Sequence, residues 1–230
     1  MQNVAADLAT IDLNCLLYKY ETDIAWAIRD EFGDHFEPLP DSITLSNDRK
    51  LMHLSSYWLD KAAQRKQLIH KYLWSADEGI FRDYNTASGE QTTVDSVTCF
   101  WALWSGVATA EQAEAMVCQA LPKFECLGGL ASSASNISQQ QLRGRPRGQW
   151  DYPFGWAPHQ ILAWGGLQQY GYQDVARRLA YKWLYHITRT AVDHNGLVME
   201  RYDVTQRYET ASDAEYGAQG QDFSGVPKEG

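Results

Sequence analysis

An all-α fold of paired antiparallel helices, a bundle or an α/α toroid, is predicted by three features of this 230-residue sequence. Apolar side chains recur at steps of three and four over long stretches. Period-two alternation is confined to Gly196–Tyr202. Short turns between helical segments alternate with long polar loops, which such scaffolds gather at one rim, where a site would lie. No fixed-period repeat and no internal domain boundary is evident, so residues 1–230 read as one unit.

The elements follow in order. From Asp12 to Phe32 the spacing puts Leu13, Leu16, Leu17, Tyr20, Ile24 and Ile28 on one helical face. Pro38 and Pro40 end this run, because proline cannot continue a helix. A second helix is expected over Asp48–Trp74, with Leu51, Leu54, Trp58, Ala62, Leu68 and Tyr72 inward. Ser75–Thr93 is polar and reads as a long loop. Helices are predicted over Asp95–Val107 and Ala110–Leu121, the latter capped by Thr109 with Glu111 in its first turn. Leu127–Gly148, rich in Gly, Ser, Asn, Gln and Arg, reads as a flexible connection. A last helix pair fits Trp156–Tyr170 and Asp174–Val192. Gly165-Gly166 permits close packing in the first, and His194-Asn195-Gly196 ends the second. Beyond Thr205 the chain is polar and glycine-containing.

Composition excludes several function classes. The 29 acidic against 20 basic side chains give a formal charge of -9, opposite in sign to the field that nucleic acids and anionic membranes require. No apolar run approaches the eighteen or so residues of a membrane span. The four cysteines (Cys15, Cys99, Cys118, Cys126) form no CxxC and read as buried free thiols in a reducing compartment. The opening residues lack the basic and apolar regions of a signal peptide, so the expected location is cytoplasmic and the Asn136-Ile137-Ser138 sequon carries no meaning. Six dispersed histidines without HExxH predict no metal site, and no nucleotide or cofactor motif is present. Arg143-Gly-Arg-Pro-Arg147 has an AT-hook core, but it occurs once in an acidic chain and reads as a solvated basic loop.

The aromatic content is high: nine Trp, thirteen Tyr and seven Phe. It concentrates in Gln149-Trp-Asp-Tyr-Pro-Phe-Gly-Trp-Ala-Pro158, a stiff proline-bounded loop before a helix. There Trp150 and Trp156 can stack on sugar C–H faces while Gln149 and Asp151 bond hydroxyls. The plainer alternative is a helix approach with its tryptophans packed inward. Val198-Met-Glu-Arg-Tyr-Asp203 and Asp213-Ala-Glu-Tyr-Gly217 place carboxylates beside aromatics. Glycoside hydrolysis needs this combination, since one carboxyl protonates the leaving oxygen and another activates water or attacks carbon. Beside Arg201, Glu200 is suited to remain ionised as a base. A solvated loop acid is the plainer reading of that residue taken alone.

These segments together resemble the trehalases, glycoside hydrolases that split α,α-trehalose into two glucoses. QWDYPFGWAP at Gln149–Pro158 resembles the family's second signature. IDLNCLLYKYETDIA near the start, GLVMERYDVT at Gly196–Thr205 and DAEYGAQGQDFSGV at Asp213–Val226 are similar to further family stretches, in the expected order, and the last is of the neutral, cytosolic branch typical of fungi. The resemblance covers nearly the whole chain. It implies an (α/α)6 toroid and an inverting mechanism without a cofactor. Glu200 falls on the general base, and Glu215 on a second acid that contacts substrate. Gln149, Trp150, Asp151 and Trp156 fall in the substrate pocket, and Tyr202 and Asp203 flank and orient the base.

The family's general acid lies in an SGWDFS-type segment that precedes the DLN segment, and this sequence does not contain it. Asp12 belongs to the DLN helix and is no substitute. The first signature, the upstream glucose-gripping arginines and the extension into FGW are also missing. The chain therefore reads as the C-terminal portion of a catalytic domain, with little or no hydrolytic activity in isolation and with helix faces exposed for self-association. The calcium and phosphorylation control of the neutral branch resides in an N-terminal extension that is absent from this sequence. Three rivals remain: another inverting α/α-toroid α-glucosidase, which would act on maltose-type sugars; a trehalose-binding or regulatory remnant, which would bind sugar without releasing glucose; and a structural helical domain, which would do neither.

Overall fold

The computed structural model describes residues 4–36, 53–135 and 148–208. They group into two compact units, Met1–Thr93 with Thr98–Ala120 and Val94–Val97 with Leu121–Gly230.

In the first unit, α1 (Ile11–Phe32) packs against α2 (Ser55–Tyr72). The N-terminus of α1 is held from elsewhere in the chain: Asp83 Oδ1 accepts the Ile11 N–H at 2.8 Å, satisfying one of the donors a helix start leaves open. Burial raises the Asp83 pKa, and that hydrogen bond opposes the rise. At the other end Gly33 adopts φ 64, a left-handed helix cap.

The buried faces of both helices differ from those predicted. In α1 the buried residues are Ile11, Cys15, Glu21, Ala25 and Ile28, whereas Leu13, Tyr20 and Ile24 are exposed. In α2 they are Ser55, Ala62 and Ile69, with Leu68 exposed; Leu54 is the extended N-cap residue and Leu51 lies outside the described residues. The cause is the contact itself. Small side chains let the two backbones approach, and a polar clamp fills the middle. Arg65 donates to both carboxylate oxygens of Glu21 (2.8–3.1 Å) and to Asn14 Oδ1 (3.2 Å). A bidentate pair of this kind fixes helix rotation, which apolar periodicity alone does not reveal.

The predicted loop Ser75–Thr93 contains two small hairpins. β2 (Trp74–Ser75) pairs with β3 (Ile80–Phe81), and β4 (Tyr84–Asn85) pairs with β5 (Glu90–Gln91) and with β1 (Leu8–Ala9). These strands are two residues long, too short to show alternation. The helix expected over Asp95–Val107 is reduced to a 3-10 turn, Val97–Phe100, and a single α-turn, α3 (Trp101–Trp104). Next comes α4 (Ala110–Ala115), whose N-cap is the predicted Thr109: its hydroxyl accepts from Gln112 N and Gln112 Oε1 accepts from Thr109 N, a full capping box. A π-turn, Met116–Ala120, follows. Cys15 is fully buried, and burial lifts its thiol to about 12 against the hydrogen bond from Ser105, so it is unreactive. Cys118, expected to be buried, is exposed.

The second unit contains α5 (Leu121–Phe124), α6 (Ala157–Gln169) and α7 (Gln173–Asp193). The last two form the predicted antiparallel pair, with Gly166, Leu167, Leu179 and Trp183 buried. Asn195 and Gly196, at φ 53 and 87, end α7. Residues 130–134, placed by composition in a flexible connection, are buried instead. Their backbone is satisfied piecewise: Leu130 pairs with Glu125, Ser133 bridges Ser96, and Ser132 N–H donates to Phe154 O at 2.8 Å. Gln160, fully buried on α6, completes the set by donating to Leu130 O (2.7 Å) and accepting from Leu130 N (2.9 Å). The sequon and Arg143–Arg147 lie outside the described residues. Among the described residues, no helix is long and apolar enough to cross a membrane, and no group of side chains suits a metal.

Candidate active site

The aromatic loop and the Glu200 segment, 50 residues apart in sequence, are neighbours through a short antiparallel ladder. β6 (Phe154–Trp156) pairs with β7 (Arg201–Asp203), with Phe154 opposite Asp203, Gly155 opposite Tyr202 and Trp156 opposite Arg201. The period-two stretch Gly196–Tyr202 thus contributes one real strand, shifted toward its C-terminal end.

Gly155 makes this ladder possible. A methyl at its α-carbon would lie 2.6 Å from Val204 Cγ1 and 2.7 Å from the Leu130 carbonyl oxygen. The preceding turn is tied by its own groups. Asp151 is buried and its Oδ2 accepts the Gly148 N–H at 2.6 Å, so it shapes the loop from inside. Tyr152 N–H donates to Ser133 Oγ, and the Tyr152–Pro153 peptide is cis.

The two indoles have different surroundings. Trp156 is 5% exposed, donates Nε1–H to Gln149 O at 2.8 Å and has one face covered by Trp150. The rings are stacked, with centroids 3.8 Å apart and planes 12° from parallel. Trp150 is 48% exposed and is the member of the pair with surface to offer a ligand. His159 stands edge-on to it at 5.5 Å, an aromatic neighbour the sequence reading passed over. Gln149 Oε1 accepts from Arg201 Nη1 at 3.5 Å, and the Arg201 guanidinium lies 4.3 Å from the Phe154 ring centroid.

Glu200 is exposed, at the bend one residue before Arg201, the ladder partner of Trp156. Tyr202 is wholly buried, and its hydroxyl accepts the Met199 N–H at 2.9 Å, so the chain closes a short loop around Glu200. Asp203 accepts from Thr205 N–H and Oγ–H, an Asx turn that stops the strand. Glu215 and the segment Asp213–Val226 lie outside the described residues.

His186 of α7 lies beneath this turn, fully buried, with neither ring nitrogen in a well-formed hydrogen bond. Burial drives its pKa down to about 4, opposed by the charge of Asp203 and the backbone of Gly128. An unfolded chain takes up the proton near 6.5, before the folded one does, so stability is expected to fall as pH drops from about 6.5 toward about 4. Urea unfolding across this window checks the effect: His186→Gln should flatten the pH dependence of the midpoint.

The ladder brings the bend of Glu200 next to the aromatic turn of Gln149 and Trp150, on the short strands that precede α6 and follow α7. An indole face, an amide–guanidinium pair and a carboxylate are groups able to stack on sugar C–H faces and to bond hydroxyls, and the paired helices behind them are part of an (α/α)6-toroid fold. The trehalase family model matches residues 1–230, and the chain belongs to the trehalase family.

The chain is 52% identical over its full length to a cytosolic neutral trehalase of Kluyveromyces lactis and 53% identical to one of Neurospora crassa, covering 29% and 31% of those proteins. It thus spans about a third of the length of its curated relatives. Among solved structures, neutral trehalase Nth1 from Saccharomyces cerevisiae matches 88% of the chain with 35% of its own length, at 52% identity and a TM-score of 0.77. A mannosylglycerate hydrolase from Thermus thermophilus matches at 18% identity and a TM-score of 0.61, a likeness of fold alone.

Proposed function

We propose that residues 1–230 form one partial catalytic domain of a cytosolic, neutral-type trehalase that hydrolyses α,α-trehalose with inversion, Glu200 being the general base. The observation that carries this reading is the β6–β7 ladder, which joins two of the family-like segments, Gln149–Pro158 and Gly196–Thr205. The cytosolic neutral trehalases among its relatives support both substrate and compartment.

In this reaction the Glu200 carboxylate takes a proton from water, whose oxygen attacks the anomeric carbon from the face opposite the leaving glucose. The bond from that carbon to the bridging oxygen breaks, and a second carboxyl protonates the departing oxygen. Trp150 supplies a stacking face, with Gln149, Asp151 and Trp156 building the pocket wall and Glu215 contributing a further acid. A polypeptide of these 230 residues alone, without the family's SGWDFS-type segment, is expected to release little or no glucose. The exposed Leu13, Tyr20 and Ile24 favour its self-association.

The test is a hybrid in which this chain replaces the matching segment of the Saccharomyces cerevisiae neutral trehalase, to which it is 52% identical. Trehalose hydrolysis that releases α- and β-glucose in equal initial amounts is the expected result, the β anomer coming from the attacked ring and the α anomer from the leaving one. Glucose release from maltose instead would favour the α-glucosidase rival. Sugar binding measured by calorimetry, without turnover, would favour the remnant.

A further inference from the structure

We infer that Trp183 and His186 of α7 are positioning residues for Glu200, acting by clamping the Tyr202 ring; this deepens, and rests on, the reading of Glu200 as base and of Tyr202 as the residue that orients it. Glu200 itself sits exposed on a turn, and such a side chain holds no fixed place unless its backbone is pinned on both sides. Arg201 and Tyr202 provide one pin through the β6 ladder. The other is the bond from Met199 N–H to the Tyr202 hydroxyl, which ties the residue before Glu200 to a side chain two residues after it.

That bond holds only while the phenol ring is kept from rotating. Trp183 meets the ring edge-on at 5.3 Å and 79°, and His186 at 5.1 Å and 70°. Residues 183 and 186 are three apart on α7, so a single helix face presents both. His186 is backed in turn by Gly128, where a methyl would come within 2.1 Å of Nδ1. The path from the helix to the carboxylate therefore runs through contacts between rigid rings, and Met199 is buried beside them in the same cluster as Trp183 and Tyr202.

The experiment uses the full-length hybrid and measures kcat and KM on trehalose well below the melting temperature. Tyr202→Phe keeps the ring and removes the acceptor. It is expected to lower kcat about 10- to 100-fold while KM changes by less than about twofold, the pattern of a misplaced base and not of a lost pocket. His186→Ala should reproduce a kcat loss, and His186→Phe, which restores a ring, should recover most of it. If Glu200→Gln abolishes turnover but Tyr202→Phe leaves kcat within about twofold, the positioning role is overturned while the reading of the base stands. If Glu200→Gln is itself silent, the underlying reading fails first. A fall in kcat that His186→Phe does not recover would overturn the part assigned to the α7 clamp.

Discussion

Glu200→Gln in the full-length hybrid is expected to lower kcat on trehalose by about 10²–10⁴-fold, the usual contribution of a positioned general base. The amide has the size of the carboxylate, and Glu200 is exposed, so folding and KM should be unaffected. Only the capacity to accept a proton is lost. This makes a second measurement informative: azide is already deprotonated and needs no base, so it should restore turnover in the variant and yield a glucosyl azide of β configuration. Loss of the acid partner would not respond in this way, because the leaving oxygen would still lack its proton. Unimpaired hydrolysis by the Gln variant would remove the base assignment altogether.

The other large effect is expected at Gly155. Alanine there would place a methyl 2.6 Å from Val204 Cγ1 and 2.7 Å from the Leu130 carbonyl oxygen. The valine can turn aside, but the carbonyl cannot move freely, since Leu130 is held through both its N–H and C=O by buried Gln160. Overpacking of this kind costs about 1–3 kcal/mol, and more where backbone must shift. Gly155→Ala should therefore lower the urea midpoint of the chain markedly. Adding Val204→Ala should return only part of the loss, because the carbonyl conflict persists. A midpoint equal to that of the unsubstituted chain would show that the 130–134 segment is less firmly fixed than its bonding indicates.

The long helices are legible in the sequence for two reasons: α1 and α7 carry three-and-four periodicity over at least three turns, and α6 is a long apolar run that opens with a proline. Helix rotation was not legible. Leu13, Tyr20 and Ile24 form a regular apolar stripe, yet the buried residues are Cys15, Ala25 and Glu21, the last clamped by Arg65 of α2. Periodicity registers bulk and not closeness of approach, so a contact built from small residues and an ion pair goes unseen. The two-residue strands and the buried 130–134 segment were missed for a related reason: their order comes from distant partners such as Gln160 and Ser96. Gln160, set directly before the apolar run Ile161–Trp164, is the available clue.

At the site, residue types leave plainer readings open for Glu200 and the aromatic loop, the family resemblance supplies their roles, and neither gives their adjacency. Residue type suggested that Trp150 and Trp156 were equals. The ladder distinguishes them, burying Trp156 as the floor and leaving Trp150 on top. The resemblance implies that Tyr202 flanks and orients the base, but the phenol's bond to Met199 N–H is visible only in three dimensions.

Two indoles lying 3.8 Å apart and nearly parallel are close enough for their electronic transitions to couple. Such coupling splits the absorption of the pair and gives a paired positive and negative band in circular dichroism, which isolated tryptophans do not produce. The chain thus carries an optical gauge at the site proposed for sugar. Its amplitude would register whether the upper ring has been displaced, with no label and no turnover.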